Sequence, residues 1–205
     1  MLVLKLTRNL ILGCLLAIMC ANGNADLTQQ EEASVVEVRN QYKRMGSAFA
    51  ISKNLFITAH HVVDDEPVVN IVHGGYMHAC RVIRLVPQQD MALLYAPTAR
   101  VTHPLKLGHS TFLSQDVIIY GFPAARPFSR AVGNVIDTHS RMWYGTRSRY
   151  TGHCTAVVMG GYSGGPVVDR RTNDVVGILT NRNGMFYNQG QGYFSKVEDF
   201  GGLIR

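Results

Sequence analysis

The sequence predicts an all-β protein built from two six-stranded antiparallel β-barrels. Three observations support this prediction. The periodicity of an amphipathic helix is almost absent after residue 26, whereas short runs of β-branched and apolar residues recur between turn-forming glycine, proline, asparagine and aspartate. These runs fall into two groups of about six, separated by the polar, turn-rich segment 109–115. Strands at this close spacing are typical of barrels and sandwiches, and two groups of similar size predict two barrels.

Residues 1–25 predict a secretory signal peptide that is removed from the mature protein. Lys5 and Arg8 form a basic start, an apolar run covers residues 10–21, and small residues at 23–25 predict a cleavage site. The apolar run is about 12 residues long, which is short for a bilayer span. We therefore expect a secreted or periplasmic protein with no stable membrane insertion after cleavage. An uncleaved anchor is the alternative.

The rest of the chain predicts one folded domain with a short lead-in. Residues 26–44 are polar and charged and predict a flexible or helical lead-in, and residues 196–205 predict a short closing helix. The first barrel is expected over residues 45–108 and the second over 116–205, with 109–115 as the linker. The predicted strands cover residues 46–51, 55–58, 68–72, 77–84 and 91–95, then 117–121, 131–137, 152–158, 167–169, 175–180 and 192–195.

The charge of the chain bears on nucleic-acid binding, and its cysteine content bears on disulfide formation. The chain has 20 basic and 14 acidic residues, and residues 1–25 contain two of the basic ones and none of the acidic ones, so the mature chain carries +4. These charges are scattered, which gives no support to nucleic-acid binding. Cys80 and Cys154 remain after signal cleavage. We expect independent buried thiols, with a single disulfide as the alternative in an exported protein.

The most informative motif is the hexapeptide 161–166, Gly-Tyr-Ser-Gly-Gly-Pro, together with the position of every histidine. A Gly-x-Ser-x-Gly motif fits the nucleophile elbow of an α/β-hydrolase, whose triad order is Ser, acid, His. All eight histidines precede Ser163, which excludes that order. The subtilisin order needs an aspartate before the histidine, and only Asp26, beside the predicted cleavage site, qualifies. The remaining order is His, Asp, Ser.

Ser163 is the candidate nucleophile. Gly161, Gly164 and Gly165 allow tight turns with positive φ and let a substrate backbone approach closely. Such a loop can direct the backbone N–H groups of Gly161 and Ser163 into one concavity and form an oxyanion hole. The alternative is a glycine-rich β-turn that carries a solvent-facing serine.

The candidate base follows a predicted strand end. The predicted strand 55–58 ends at Thr58 and is followed directly by Ala59, His60 and His61. A histidine just past a buried strand end is held firmly while its ring reaches a cleft. From the residues alone, either histidine could be this base, or a packed or surface residue.

The candidate acid is Asp90, which immediately precedes the apolar run 91–95. A carboxylate at the mouth of a core strand can accept a hydrogen bond from an imidazole and stabilise the imidazolium. The rivals are weaker, because Asp64 and Asp65 are too close in sequence to the histidines and Asp116 and Asp137 resemble strand-end turn residues.

Several motifs resemble those of trypsin-like serine proteases of the chymotrypsin fold. Residues 58–63 resemble the family's Thr-Ala-x-His-x-Val motif, and residues 90–94 its Asp-x-Ala-Leu-Leu segment. Residues 46–51, 117–123 and 175–180 resemble further strands of the same fold, so the resemblance covers most of residues 44–200. In pattern the chain is similar to the catalytic domains of high-temperature-requirement proteases and to small exported trypsin-like peptidases of bacteria.

The resemblance implies a serine endopeptidase whose active site lies in the cleft between the barrels. It implies His61 as general base, Asp90 as its orienter, Ser163 as nucleophile, and Gly161 and Ser163 as oxyanion donors. A protein or peptide is the implied substrate, and neither a metal nor an organic cofactor is implied. Trypsin carries an aspartate where this chain has Tyr162, so we predict no activation by a newly cut N-terminus.

The resemblance also implies a specificity pocket. Val157 takes the place at the pocket base, and Leu179 takes a place where glutamate-specific relatives carry histidine. Together with Thr180, Asn181 and Arg182 they are the expected substrate-binding residues. Val157 and Leu179 favour a small or medium apolar residue at P1, whereas Arg182 could narrow the pocket or bind an acidic P1 residue.

Two other functions remain as alternatives at this point. A protease-like fold without catalysis could act as a binding protein. A metal-binding secreted protein could use some histidines with Cys80 or Cys154, although no pair has a typical ligand spacing.

Overall fold

The computed structural model describes residues 26–39, 44–123, 127–144, 147–182 and 189–204. In these residues twelve strands form two closed six-stranded antiparallel barrels, which confirms the predicted fold class. The first barrel contains β1 (Val35–Arg39), β2 (Arg44–Ala50), β3 (Leu55–Thr58), β4 (Val68–His73), β5 (Tyr76–Val86) and β6 (Met91–Tyr95). The second contains β7 (Asp116–Gly121), β8 (Ser129–Tyr144), β9 (Arg147–Met159), β10 (Pro166–Asp169), β11 (Val175–Arg182) and β12 (Gln189–Lys196).

The two barrels have the same topology. Neighbouring strands follow the order β1-β2-β3-β6-β5-β4 around the first barrel and β7-β8-β9-β12-β11-β10 around the second. Each barrel closes through an antiparallel pair, β1 with β4 and β7 with β10. Closure leaves no free sheet edge, which protects an all-β chain against edge-to-edge association.

A third apolar cluster lies between the two barrel cores and joins them. Successive side chains of a strand point to opposite faces, so each central strand contributes to two clusters. Phe56 packs in the first barrel and Ile57 in the shared cluster, while Ile118 packs in the shared cluster and Ile119 in the second barrel. In the sequence, β3 and β7 therefore contain continuous runs of apolar residues rather than alternating apolar and polar ones. The shared cluster fixes the barrels against each other, and with them the cleft that they form.

The helices are short. They are α1 (Gln29–Glu32), α2 (His60–Val63), a 3-10 turn (Val197–Phe200) and α3 (Gly201–Ile204). No helix in the described ranges has the length and apolar character needed to cross a bilayer. The last two elements place helical structure at the end of the chain, where the sequence predicts a closing helix. The predicted signal peptide, residues 1–25, lies outside the described residues.

The structure differs from the sequence prediction in segment 26–44. We predicted a lead-in there, but Val35–Arg39 forms β1 and pairs with both β2 and β4. Charged Glu37 interrupts the apolar pattern of this strand, yet it is buried and accepts hydrogen bonds from Arg39 at 2.6 and 3.1 Å. The ion pair allows a charged residue into the strand that closes the first barrel.

Both cysteines of the described chain are buried free thiols. Cys80 lies in the first-barrel core and Cys154 in the second. Burial raises the pKa of the Cys80 thiol to about 12 and that of Cys154 to about 11. Both therefore remain protonated at neutral pH and are poor nucleophiles, because the thiolate is the reactive form.

Candidate active site

His61 lies in α2, the single helical turn that follows β3. Val62 and Val63 of the same turn are buried in the first-barrel core. The His61 side chain keeps 26% of its surface exposed. The buried valines therefore hold the backbone of the turn while the imidazole reaches the cleft.

Asp90 binds His61 through both carboxylate oxygens. Oδ1 accepts the backbone N–H of His61 at 2.9 Å, and Oδ2 lies 2.8 Å from His61 Nδ1. Asp90 is 5% exposed and adopts a φ of 54°, which is uncommon for a residue with a side chain. Strained backbone of this kind is found where the surrounding structure imposes it, often at functional sites. Here it directs the carboxylate back to α2 at the start of β6.

The structure distinguishes the two histidines that the residues alone left open. His60 Nε2 is 3.4 Å from the exposed carboxylate of Asp65.

Three of the aspartates considered as rivals of Asp90 have partners of their own. Asp137 accepts hydrogen bonds from the Ser140 hydroxyl and from a backbone N–H, and these lower the pKa of its carboxyl. Asp116 accepts the Asn134 side chain at the start of β7. Asp65, Asp116 and Asp137 thus each have a local partner, whereas the carboxylate of Asp90 is hydrogen-bonded to His61.

Ser163 lies at the centre of a loop whose peptide groups are hydrogen-bonded within the second barrel. The Gly165 N–H donates to the Tyr162 carbonyl at 2.9 Å, and the Gly164 N–H donates to the Leu179 carbonyl at 2.8 Å. Gly164 has a φ of 85°, and a Cβ there would lie 2.1 Å from a carbonyl oxygen of β2. Only glycine fits this backbone conformation and this close approach.

A surface cavity of about 220 Å³ brings the candidate nucleophile and base together. Its described lining contains no Asp, Glu, Lys or Arg and combines aliphatic walls with two polar residues of β11. The described lining residues are His61, Val158, Met159, Gly160, Ser163, Leu179, Thr180 and Asn181. A largely apolar lining beside a serine and a histidine is suited to an apolar group next to the reacting bond.

Three of the five expected substrate-binding residues line this cavity, namely Leu179, Thr180 and Asn181. Val157 does not, because it is 57% exposed on the outer face of β9, and the next residue, Val158, points inward. The Arg182 side chain lies outside the described residues.

Some residues of the site were not predicted from the sequence. Val158, Met159 and Gly160 line the cavity, and the period of two along β9 would have indicated Val158 once Val157 was placed outside. Tyr162 is buried in the second-barrel core, where trypsin's aspartate would be expected from the resemblance.

His78 and His153, the histidines nearest in sequence to Cys80 and Cys154, have other neighbours. His78 Nδ1 lies 2.9 Å from the Thr98 hydroxyl, and the His153 ring stacks on Tyr193 with centroids 4.2 Å apart. Within the described part of the chain, no group of three or more His, Cys, Asp and Glu side chains could hold a metal ion.

Comparison with known proteins identifies the family of the chain. A model of the trypsin-like peptidase domain matches residues 46–178. The mitochondrial protein protease Do-like 12 of Arabidopsis thaliana is 28% identical over 166 residues, which are 75% of this chain, but the match spans only 32% of that protein's length.

Solved protease structures share the fold. Rv3671c protease from M. tuberculosis in its active form has a TM-score of 0.71 at 24% identity, covering 83% of this chain and 78% of that one. The MamO protease domain from Magnetospirillum magneticum has a TM-score of 0.73 at 20% identity, covering 85% and 97%. At these identities the structures show the fold alone. Because the family model spans more than half of the chain, the protein belongs to the trypsin-like peptidase domain family, a family of serine endopeptidases.

Proposed function

We propose that this protein hydrolyses peptide bonds through an acyl-enzyme on Ser163, with His61 as general base and acid and Asp90 as its orienter. One observation carries the proposal: the Nδ1 of His61 lies 2.8 Å from Asp90, and the same imidazole lines one cavity with Ser163. A nucleophile, a base and an orienter of that base are the elements that activate a serine.

The proposed chemistry follows from which ring nitrogen is occupied. With Nδ1–H donating to Asp90, the Nε2 of His61 keeps its lone pair and takes the proton of the Ser163 hydroxyl as Oγ attacks the substrate carbonyl carbon. The resulting imidazolium, stabilised by Asp90, gives this proton to the leaving amine as the C–N bond breaks. Water, deprotonated by the same imidazole, then cleaves the ester and releases Ser163.

The oxyanion that forms on the substrate carbonyl needs hydrogen-bond donors, and we assign this role to the N–H groups of Gly161 and Ser163. The C=O and N–H of a trans peptide point in opposite directions. Since the Tyr162 carbonyl accepts from Gly165, the N–H of Ser163 points to the opposite side of the loop. Donors fixed before reaction are among the largest contributors to catalysis.

We further propose a preference for small or medium apolar residues at P1, since Val158, Met159 and Leu179 are the apolar walls of the cavity and no described lining residue is Asp, Glu, Lys or Arg. In a peptide-library cleavage assay we expect apolar P1 residues to dominate. Val158→Leu should lower kcat/KM for a large apolar P1 about 10-fold relative to alanine at P1, because Val158 lines the cavity and a larger side chain narrows it. Val158 is also buried in the second-barrel core, so thermal unfolding is measured beside the kinetics to check that the variant folds. Val157→Leu, on the outer face of the same strand, is the control and should leave the profile unchanged. A profile dominated by lysine or arginine would contradict the proposal.

Export is proposed from residues 1–25 alone, whose basic start, apolar run and small-residue end match a signal peptide. Cleavage after Ala25 would leave Asp26 as the first residue. The segment that follows is docked on the second barrel, since the Leu27 N–H donates to the Tyr120 hydroxyl at 3.0 Å. Cleavage there would leave an ordered start of the mature chain.

A fluorophosphonate probe tests the proposed catalysis directly. The probe forms a P–O bond with an activated serine and releases fluoride. We expect the wild-type protein to be labelled with one equivalent and Ser163→Ala to remain unlabelled, with unchanged thermal unfolding as the control for folding. Equal labelling of both proteins, or none of the wild type while it is folded, would contradict the proposed function.

A further inference from the structure

We propose that Ser47 is a positioning residue for the oxyanion hole: its hydroxyl holds the serine loop in the conformation that presents the two donor N–H groups. The proposal rests on the proposed function of Ser163. Ser47 lies in β2 of the first barrel, whereas the loop belongs to the second. The contact therefore joins the two barrels.

The Ser47 hydroxyl has both of its hydrogen-bonding roles filled. Its oxygen accepts the N–H of Phe122 at 2.9 Å, and its O–H donates to the carbonyl of Gly161 at 2.7 Å. A backbone N–H can only donate and a carbonyl can only accept, so the single hydroxyl proton is directed to Gly161. Ser47 is fully buried, and the space beside its oxygen is closed, since a Cβ on Gly121 would lie 2.8 Å from it. Bulk water therefore has no access to replace this hydrogen bond.

These bonds determine the orientation of the peptides on both sides of the candidate nucleophile. In the 161–162 peptide, the carbonyl is held by Ser47 and the N–H donates to the Met159 carbonyl at 3.3 Å. In the 163–164 peptide, the carbonyl accepts the backbone N–H of Ser47 at 2.8 Å and the N–H donates to Leu179. Ser47 thus holds one carbonyl before Ser163 and one after it.

The proposed donors lie in the adjoining peptides, so their direction depends on these contacts. Gly161 has a φ of 101°, and glycine can turn about this bond at little steric cost. A fixed Gly161 carbonyl limits that freedom and with it the direction of the Gly161 N–H. The loop has no aspartate at position 162 to bind a newly cut N-terminus, and the buried hydroxyl supplies a restraint present as soon as the barrels are folded.

The test is Ser47→Ala with Ser34→Ala as the matched control. Ser34 is also a fully buried serine, in the turn before β1, and its hydroxyl donates to the His103 carbonyl. We expect Ser47→Ala to lower kcat and the rate of fluorophosphonate labelling about 10- to 100-fold with KM changed by less than about threefold, since one lost oxyanion donor costs about 10²–10³ in kcat. Ser34→Ala should leave kcat unchanged.

A second measurement separates positioning from general destabilisation. A peptide boronic acid forms a tetrahedral adduct whose oxygen occupies the oxyanion hole, whereas the corresponding peptide amide binds without reaction. Ser47→Ala should weaken binding of the boronic acid by about the same factor by which it lowers kcat. Binding of the amide should weaken by less than about threefold. Ser47→Cys keeps the shape of the side chain but has a weaker hydrogen-bond donor, so we expect an intermediate loss of kcat and of boronate binding. The same variant tests the proposal if Ser47→Ala does not fold.

The outcomes are distinct. A folded Ser47→Ala or Ser47→Cys protein with wild-type kcat overturns the inference alone, as does an equal loss of boronate and amide binding. A folded wild-type protein that is never labelled overturns the proposed function, and this inference with it.

Discussion

Replacing Asp90 by asparagine is expected to lower kcat about 10⁴-fold with little change in KM. The reason lies in the two contacts of its carboxylate. Oδ1 accepts the backbone N–H of His61 at 2.9 Å, so an asparagine must place its own carbonyl oxygen there. Its amide nitrogen then faces His61 Nδ1, now an acceptor. The imidazole proton moves to Nε2, the nitrogen that has to take the proton of Ser163.

Steady-state kinetics with a peptide substrate measures this effect, and Asp65→Asn is its matched control. Asp65 lies beside His60 rather than His61, and its side chain is exposed. We expect the control to retain kcat within about twofold. The fold of the Asp90→Asn variant should be intact by circular dichroism. A folded Asp90→Asn enzyme with kcat within tenfold of the wild type would exclude Asp90 as the orienter of His61.

The barrels could be predicted because their strands are short, apolar and separated by turn residues. Strands such as β3 and β7 are buried on both faces, in a barrel core and in the shared cluster, and they read as continuous apolar runs. β1 escaped prediction because the charged residues Glu37 and Arg39 give it the pattern of a solvated segment, whereas in the structure Glu37 is buried and pairs with the partly exposed Arg39.

The pairing of Asp90 with a histidine was predictable from chain order, from the strand that precedes the histidines and from the strand that follows Asp90. The choice of His61 over His60 depended on the resemblance, since adjacent residues at a strand end carry no signal about which one turns to the cleft. The structure explains the difference: α2 directs His61 to Asp90 and His60 to the exposed Asp65.

Contacts between the barrels were beyond sequence reasoning. Ser47 and Gly161 are separated by 114 positions, and their hydrogen bond depends on how two closed barrels lie against each other. Neither residue type indicates such a contact, because a serine in a strand usually faces solvent. The sequence also did not identify which side chains of β9 face the cavity, because a shift of one residue in register exchanges Val157 and Val158.

The largest effect on stability is expected from Gly164→Ala. Its φ of 85° is unfavourable for any residue with a side chain, and the new Cβ would lie 2.1 Å from the Ser47 carbonyl oxygen and 2.2 Å from the Thr58 hydroxyl. Left-handed strain and overpacking together are expected to cost about 2–5 kcal/mol of unfolding free energy. For a domain of this size the melting temperature should fall by about 5–15 °C. Activity should be lost in the remaining folded protein, because the Cβ pushes the Ser163 loop away from the first barrel.

Gly160→Ala is the control, four residues earlier in the chain. A Cβ at Gly160 would meet no atom within 4 Å, and its φ lies outside the left-handed range. We expect its melting temperature to stay within about 2 °C of the wild type, because an exposed Gly→Ala change without strain is neutral or slightly stabilising. Thermal unfolding followed by calorimetry compares the two variants. Equal melting temperatures for Gly164→Ala and Gly160→Ala would show that the serine loop can move away from β2 at no cost, and the close packing of the loop against the first barrel would then not be needed for stability.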